Sequence, residues 1–259
     1  MASVVTDLLS GGTVDTGSPF ASGTLTGPSD GDLVIVSVFS WVGGGTAPGN
    51  GGTGLTGCGQ TWTSLANGTG TDGATSTWRL ELFACVAASW SDGAVTASFT
   101  TTAPGEVFFR AASVTEVAGT IGAAIVQPAS PPSTPATGNS TTPSVTLSSF
   151  ADATNNVAYL AVLNAQGGGA TISFGTLTEL GADLTGGANG NRMAHAYGTG
   201  EDTSPDALLS SSGDWIAAAL EIDNDAGGGG GGSNVGRLTG PGGLVGPGGL
   251  VGPGGGLVA

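Results

Sequence analysis

The sequence predicts an all-β protein: a two-sheet antiparallel β-sandwich, jelly-roll-like, built from two sequence-similar halves and followed by an extended glycine-rich C-terminal arm. Three observations predict it. Only 9% of the 259 residues are charged, whereas 51 are glycine and Thr, Ser, Ala and Val abound; such a composition suits short strands and turns better than helices, which draw on Glu, Lys and Arg. Alternating or β-branched runs recur along the chain between Gly, Pro, Asn and Asp clusters. Four blocks of the N-terminal half also recur, in the same order, in the C-terminal half.

In chain order the predicted strands are DLVIVSVFSWV (32–42), STWRLELFACVA (76–87), AVTASFTT (94–101), EVFFRAASVTEV (106–117), SVTLSSF (144–150), NVAYLAVLNA (156–165), RMAHAYGTG (192–200) and DWIAAALEID (214–223). No segment carries a helical stripe of useful length. A Pro/Ser/Thr-rich spacer, QPASPPSTPATGNSTTP (127–143), separates halves at 1–126 and 144–225. GDLVIVSVFSW aligns with NNVAYLAVLNA, and TWTSLA (61–66) with TLTELG (176–181). WRLELFA (78–84) aligns with NRMAHAY (191–197), setting Arg79 opposite Arg192. SVTEVAG (113–119) aligns with AALEIDN (218–224), setting Glu116 opposite Glu221. Each half offers about five strands with one apolar face, so one sandwich over 1–225, to which both halves contribute, is favoured over two small ones in tandem.

The charge is one-sided. Arg79, Arg110, Arg192 and Arg237 are the cations, there is no lysine, and 19 acids bring the net charge to -15. Nucleic acid is excluded as a partner, because a phosphate backbone is held by clustered Lys and Arg. A halophile's surface would be carpeted with carboxylates, whereas this one must be mostly Ser, Thr, Gly and Asn; the acidity serves solubility and self-repulsion. The first residues, MASVVTDLLSGG, lack the cationic region and long apolar core of a secretory signal. The longest apolar stretch, LVIVSVFSWV, is too short to cross a bilayer as a helix, so no membrane insertion is expected. Cys58 lies in a glycine loop and Cys85 in a strand-like run, and two free thiols are favoured over a bridge.

Candidate chemistry is sparse, and no catalytic residue, metal site or cofactor is predicted. His195 is the single histidine, on one face of an alternating strand with Met193 and Tyr197. HExxH and CxxC motifs are missing, so a structural role is favoured for it. Glu81, Glu106, Glu116, Glu179, Glu201 and Glu221 are scattered rather than clustered. The matching places of Glu116 and Glu221 suggest a repeated fold position, such as a solvated strand end, before an acid pair. The acidic loops at Asp30 and Asp32, at Glu201, Asp202 and Asp206, and at Asp223 and Asp225 read as turn chemistry rather than calcium sites. The glycine-rich 43–57 loop lacks the ending of a phosphate cradle. Of the five tryptophans, Trp62, Trp78 and Trp215 fall in strand blocks and read as core. Trp41 and Trp90 adjoin loops and are the candidates for glycan contact.

The C-terminal segment divides into a glycine-rich linker (226–239) and an arm (240–259). In the arm Gly240, Gly243, Gly246, Gly249, Gly252 and Gly255 fall at every third position. A collagen triple helix demands that register, because only hydrogen fits at its axis, and 18 residues in this form would extend roughly 55 Å at about 3.1 Å each. Pro241, Pro247 and Pro253 occupy one of the two remaining positions. Leu244, Val245, Leu250, Val251, Leu257 and Val258 supply apolar side chains for packing. A free triple helix this short, with glycine losing much entropy on ordering, is too weak to hold alone. It persists where trimeric bodies keep three chains at high effective concentration. A homotrimer with the arm as its oligomerisation or docking element is therefore expected; another extended assembly, or a flexible linker, uses the same residues.

The succession DTGSPFASGTLT, GDLVIVSV, TWTSLA, SVTEVAG, a Ser/Thr/Pro spacer and a second copy ending WIAAALEI resembles a duplicated β-sandwich family of minor tail and other virion proteins of tailed phages, over about residues 4–223. The glycine-rich tail after ALEIDNDAGGGGGG is similar to the C-termini of such proteins. The resemblance implies a non-enzymatic structural protein of the virion, at the tail or capsid surface, whose partners are other virion proteins. A minor tail protein leads. Capsid decoration or head fibre protein is the alternative, and a glycan-binding module facing the host surface is a further one. The matching motifs are turn and hydrophobic patterns and supply no catalytic residue.

Overall fold

The computed structural model describes residues 5–9, 12–17, 19–43, 54–71, 76–99, 103–115, 117, 119–128, 131–165, 170–186 and 190–223. The linker and the arm, Glu116 and Asp225 among others, lie outside the described residues.

The first half forms β1 (Val5–Asp7), β2 (Thr13–Asp15), β3 (Phe20–Ala21), β4 (Leu33–Gly43), β5 (Leu55–Gly57), β6 (Thr63–Thr71), β7 (Ser76–Val86), β8 (Val95–Ala97) and β9 (Glu106–Val114). A short helix, α1 (Ile121–Ala124), leads into the second half. There follow β10 (Ile125–Gln127), β11 (Ala136–Ser140), β12 (Val157–Asn164), β13 (Ile172–Ser173), β14 (Thr178–Glu179), β15 (Leu184–Thr185), β16 (Arg192–Thr199), β17 (Leu208–Leu209) and β18 (Gly213–Ile222). The predicted run SVTLSSF forms no strand of its own; Ser144 makes an isolated bridge to Asp206.

Each half builds one large antiparallel sheet. The first has the order β1-β9-β4-β7-β6 with β2 also on β9, and the second β10-β18-β12-β16-β14 with β11 also on β18. Position by position these are the same topology. Each half adds a small sheet, β3-β8-β5 in the first and β13-β17 in the second. Where β3 lies against β8 in the first half, Thr141 and Pro143 accept hydrogen bonds from Leu209 and Ala207 in the second. The chain thus passes repeatedly between a large and a small sheet in each half, as in jelly-roll architectures.

The expected sandwich lies between the two large sheets. Leu33, Ile35, Phe39, Leu80, Leu82 and Phe108 pack there against Tyr159, Leu163, Met193, Ile216, Leu220 and Ile222. The structure adds an outer layer on each side. Val34, Val36, Val38, Phe83 and Phe109 meet Phe20, Leu55 and Val95 of the first small sheet. Leu160, Val162, Ala217 and Ala219 meet Ile172 and Leu209 of the second. The large sheets are therefore covered on both faces, not on one, which is why β4, β9, β12 and β18 are buried almost without interruption and their sequences are mostly apolar rather than alternating. The Pro/Ser/Thr-rich spacer is structural too. Ser133 exchanges backbone hydrogen bonds with Leu65 and Asn67, while β11 zips along β18.

The ladders confirm three of the four sequence alignments. Leu33 and Val157, Val86 and Thr199, and Thr63 and Thr178 hold matching places. The fourth slips by three residues: Val114 and Ile222 are equivalent, because they face Leu33 and Val157 respectively, so Glu221 matches Ser113 and not Glu116. An odd slip exchanges the faces of a strand. Glu221 is no solvated strand end. It is fully buried and accepts hydrogen bonds from Ala151 N-H (2.8 Å), Asn156 Nδ2 (2.6 Å) and Gln127 Nε2 (2.5 Å).

Candidate functional site

The densest collection of reactive side chains lies between the two large sheets. The inward face of β9 carries Phe108, Arg110, Ala112 and Val114, and Arg110 is 0% exposed. Its equivalent in the second half is Ala218, so the duplication holds one cation in the shared core. Arg110 donates through Nη2 to the Ala182 carbonyl, across the boundary between the halves. Asp7 on β1 exerts the strongest opposing charge on it, and the two groups flank Gly181, whose φ of +73° is a left-handed conformation. A Cβ at Gly181 would stand 2.6 Å from Asp7 Oδ2 and 3.1 Å from Arg110 Nη1. Gly181→Ala is expected to destabilise the chain by roughly 1–3 kcal/mol, read as a lower urea midpoint; an unchanged midpoint would show that the seam tolerates the displacement.

Beside this pair runs a chain of neutral groups. Ser37 Oγ lies 2.9 Å from the Tyr159 hydroxyl, which lies 3.0 Å from His195 Nδ1. The Tyr159 and His195 rings meet edge to face at 5.9 Å. His195 Nε2 sits 3.9 Å from Asp7 Oδ1, too far for a hydrogen bond. Burial, reinforced by the Arg110 charge, drops the imidazole to about 3, so it is neutral at ordinary pH. Burial pushes the Tyr159 phenol up, and raises Asp7 against the lowering effects of Leu9 N-H and Arg110.

A Ser-Tyr-His-Asp succession has the parts of a proton relay. Ser37, Tyr159 and His195 are nevertheless each 0% exposed, in the middle of a packed core. The hydrogen bonds that cross between the halves, Ser37 to Tyr159 and Arg110 to the Ala182 carbonyl, favour one relative placement of the sheets, because misplacement strands a buried polar group.

The sequence-predicted tryptophans do not meet. Trp41 pairs with Trp78 at one end of the β4–β7 ladder, is half-buried, and packs against the core between the large sheets. Trp90 follows β7 at the other end, where Leu33 faces Val86, some eight residues and roughly 27 Å away at about 3.3 Å per residue. Trp90 instead makes an edge-to-face pair with Trp62 at 6.4 Å and donates to Asp92 at 3.1 Å. Trp78 and Trp215 are core as expected, whereas Trp62 is half-buried at this corner.

The acidic loops satisfy their own backbone: Asp32 accepts from Ser29 N-H (2.8 Å), and Asp202 from Ser204 N-H (3.0 Å). Among the described residues no three His, Cys, Asp or Glu side chains gather as metal ligands. Glu81 lies on the outward face of the first large sheet, 3.5 Å from Arg79 Nε. Burial pushes it up to about 7, against the pull of Arg79. Cys58 and Cys85 are both free and buried, and burial pushes Cys85 up to about 12. The arm residues from Gly240 to Val258 lie outside the described residues.

Fold and seam together define a class: an all-β protein of two halves whose large sheets share one strand order and pack on each other. No family model, curated protein or solved structure matches the chain.

Proposed function

We propose that the chain is a non-enzymatic structural protein of a tailed-phage virion, most specifically a minor tail protein, whose C-terminal arm serves trimerisation or docking. The observation that carries this reading is the arm, with glycine at every third position from Gly240 to Gly255 and paired Leu and Val between. That chemistry orders when chains are gathered and not before. The body supports it by analogy of architecture, jelly rolls being common in virion shells and lectins. A body sealed on both faces of each large sheet, with a polar seam locking its halves, suits a rigid building block. The hydroxyl-rich acidic surface resists non-specific association. Capsid decoration uses the same features.

Native mass measurement tests the arm: the full chain is expected as a trimer and a chain ending at Ala226 as a monomer, whereas a monomer in both cases removes the arm from assembly. Immunogold labelling of purified particles with antibody to the body tests the location. Label on the tail supports the minor tail reading, label on the shell the decoration reading, and label confined to the unassembled fraction overturns both.

A further inference from the structure

The two halves repeat one fold, so each serves as a control for the other, and at one corner they differ. In the first half the end of β7 is plugged. The Gln60 side chain holds both backbone groups of Ala88, donating to its carbonyl (3.0 Å) and accepting from its N-H (3.2 Å). Trp62 and Trp90 close the space beside it. Matching strand places, Thr63 with Thr178 and Val86 with Thr199, turn Gln60 into Gly175, Trp62 into Leu177, Ala88 into Glu201 and Trp90 into Thr203. A Cβ at Gly175 would meet nothing within 4 Å. The plug is gone, and the same corner of the second half is a groove of about 460 Å³.

We propose that this groove is a binding site for a neutral sugar. Its lining includes the hydroxyl-bearing Thr176, Thr178 and Thr199, the half-buried Tyr197, and the acidic Glu201 and Asp202. One oxygen of each acid is engaged locally, Glu201 Oε1 by Phe150 N-H (3.3 Å) and Asp202 Oδ1 by Ser204 N-H (3.0 Å), so the second can accept from a ligand. A polyol supplies hydroxyl donors to carboxylates and an apolar C-H face to an aromatic ring. The volume falls in the range of small-molecule sites. With no cation in the wall and a net charge of -15, anionic ligands are repelled. The site is distinct from Trp41 and Trp90, and it does not rest on the virion reading.

Saturation-transfer NMR on the full chain, with glucose, galactose, mannose, N-acetylglucosamine and their β-linked disaccharides as probes, tests the assignment. At least one is expected to bind saturably, and glucuronate less well than glucose. Glu201→Gln keeps the acceptor for Phe150 but removes the charge, and is expected to weaken binding roughly tenfold. Rebuilding the plug with Gly175→Gln and Leu177→Trp is expected to abolish it, while Trp90→Ala leaves it unchanged. No transfer to any probe, binding unaltered by Glu201→Gln, or binding lost in Trp90→Ala would each overturn the assignment.

Discussion

Arg110→Ala is expected to destabilise the protein by roughly 3–5 kcal/mol, the scale seen when one partner of a buried charge arrangement is removed. Arg110 is fully buried between the large sheets, and its charge is opposed by Asp7, Asp183 and Glu179. Truncation leaves the Ala182 carbonyl without its donor, Asp7 without its nearest cation, and a void in the shared core. Alanine is not intrinsically wrong there, since Ala218 holds the equivalent place in the second half without a charge to balance. The loss therefore belongs to the void and, for the larger part, to the partners left behind. Arg110→Met, which fills the space, is expected to recover only part of it, and Arg110→Met combined with Asp7→Asn most of it, a coupling of roughly 1–3 kcal/mol. Urea midpoints at constant m-value measure each. A loss below about 1 kcal/mol for Arg110→Ala, or strict additivity with Asp7→Asn, would show that the seam does not depend on this charge.

The same residue marks how far the sequence could be read. The long strands, the duplication and three of its four registers were legible, because period-two runs and turn clusters are local signals. The layering was legible in principle: LVIVSVF has no polar alternation, which signals burial on both faces, whereas one apolar face per half leaves no place for the outer layers. The slip at β18 arose because Glu221 was matched by letter, whereas inward Phe108 and Ile216 set the register. Arg110 stood out in EVFFRAASV as a cation inside an apolar strand, a visible signal. Its partner, Ala182, lies 72 residues away, and no local pattern announces it. Ser37 and Tyr159 are separated by 122 residues for the same reason. Trp62 falls in a strand block and so reads as core, and only the chain path after β7 brings Trp90 against it. The open groove could not be foreseen, since it consists of what Gly175 and Leu177 fail to fill.

Two buried groups give stability opposite pH dependences, so each is exposed by removing the other. His195 falls from 6.5 to about 3 on folding. Below pH 6.5 the unfolded chain takes up a proton that the folded one refuses, so stability declines as pH falls through this window, by up to about 1.4 kcal/mol per unit. Glu81 moves the other way, from 4.5 to about 7. Between these values the folded chain keeps a proton that the unfolded one releases, so stability declines as pH rises, with the same limiting slope. Asp7, also raised, adds to the direction of Glu81. Over pH 4.5 to 6.5 the contributions of His195 and Glu81 nearly cancel. In His195→Gln the Glu81 slope stands alone, and stability is expected to rise by roughly 2–3 kcal/mol as pH falls from 6.5 to 4.5. In Glu81→Gln the His195 slope is opposed only by the raised Asp7, and stability is expected to fall, by no more than a similar amount, over the same interval. Glutamine at 195 can still meet the Tyr159 hydroxyl, and glutamine at 81 can still face Arg79, so neither change need empty its site. Urea midpoints at half-unit pH steps give both profiles. Parallel profiles for the two variants would mean that neither buried group carries the linkage, whereas divergence with a flat parent assigns it to both.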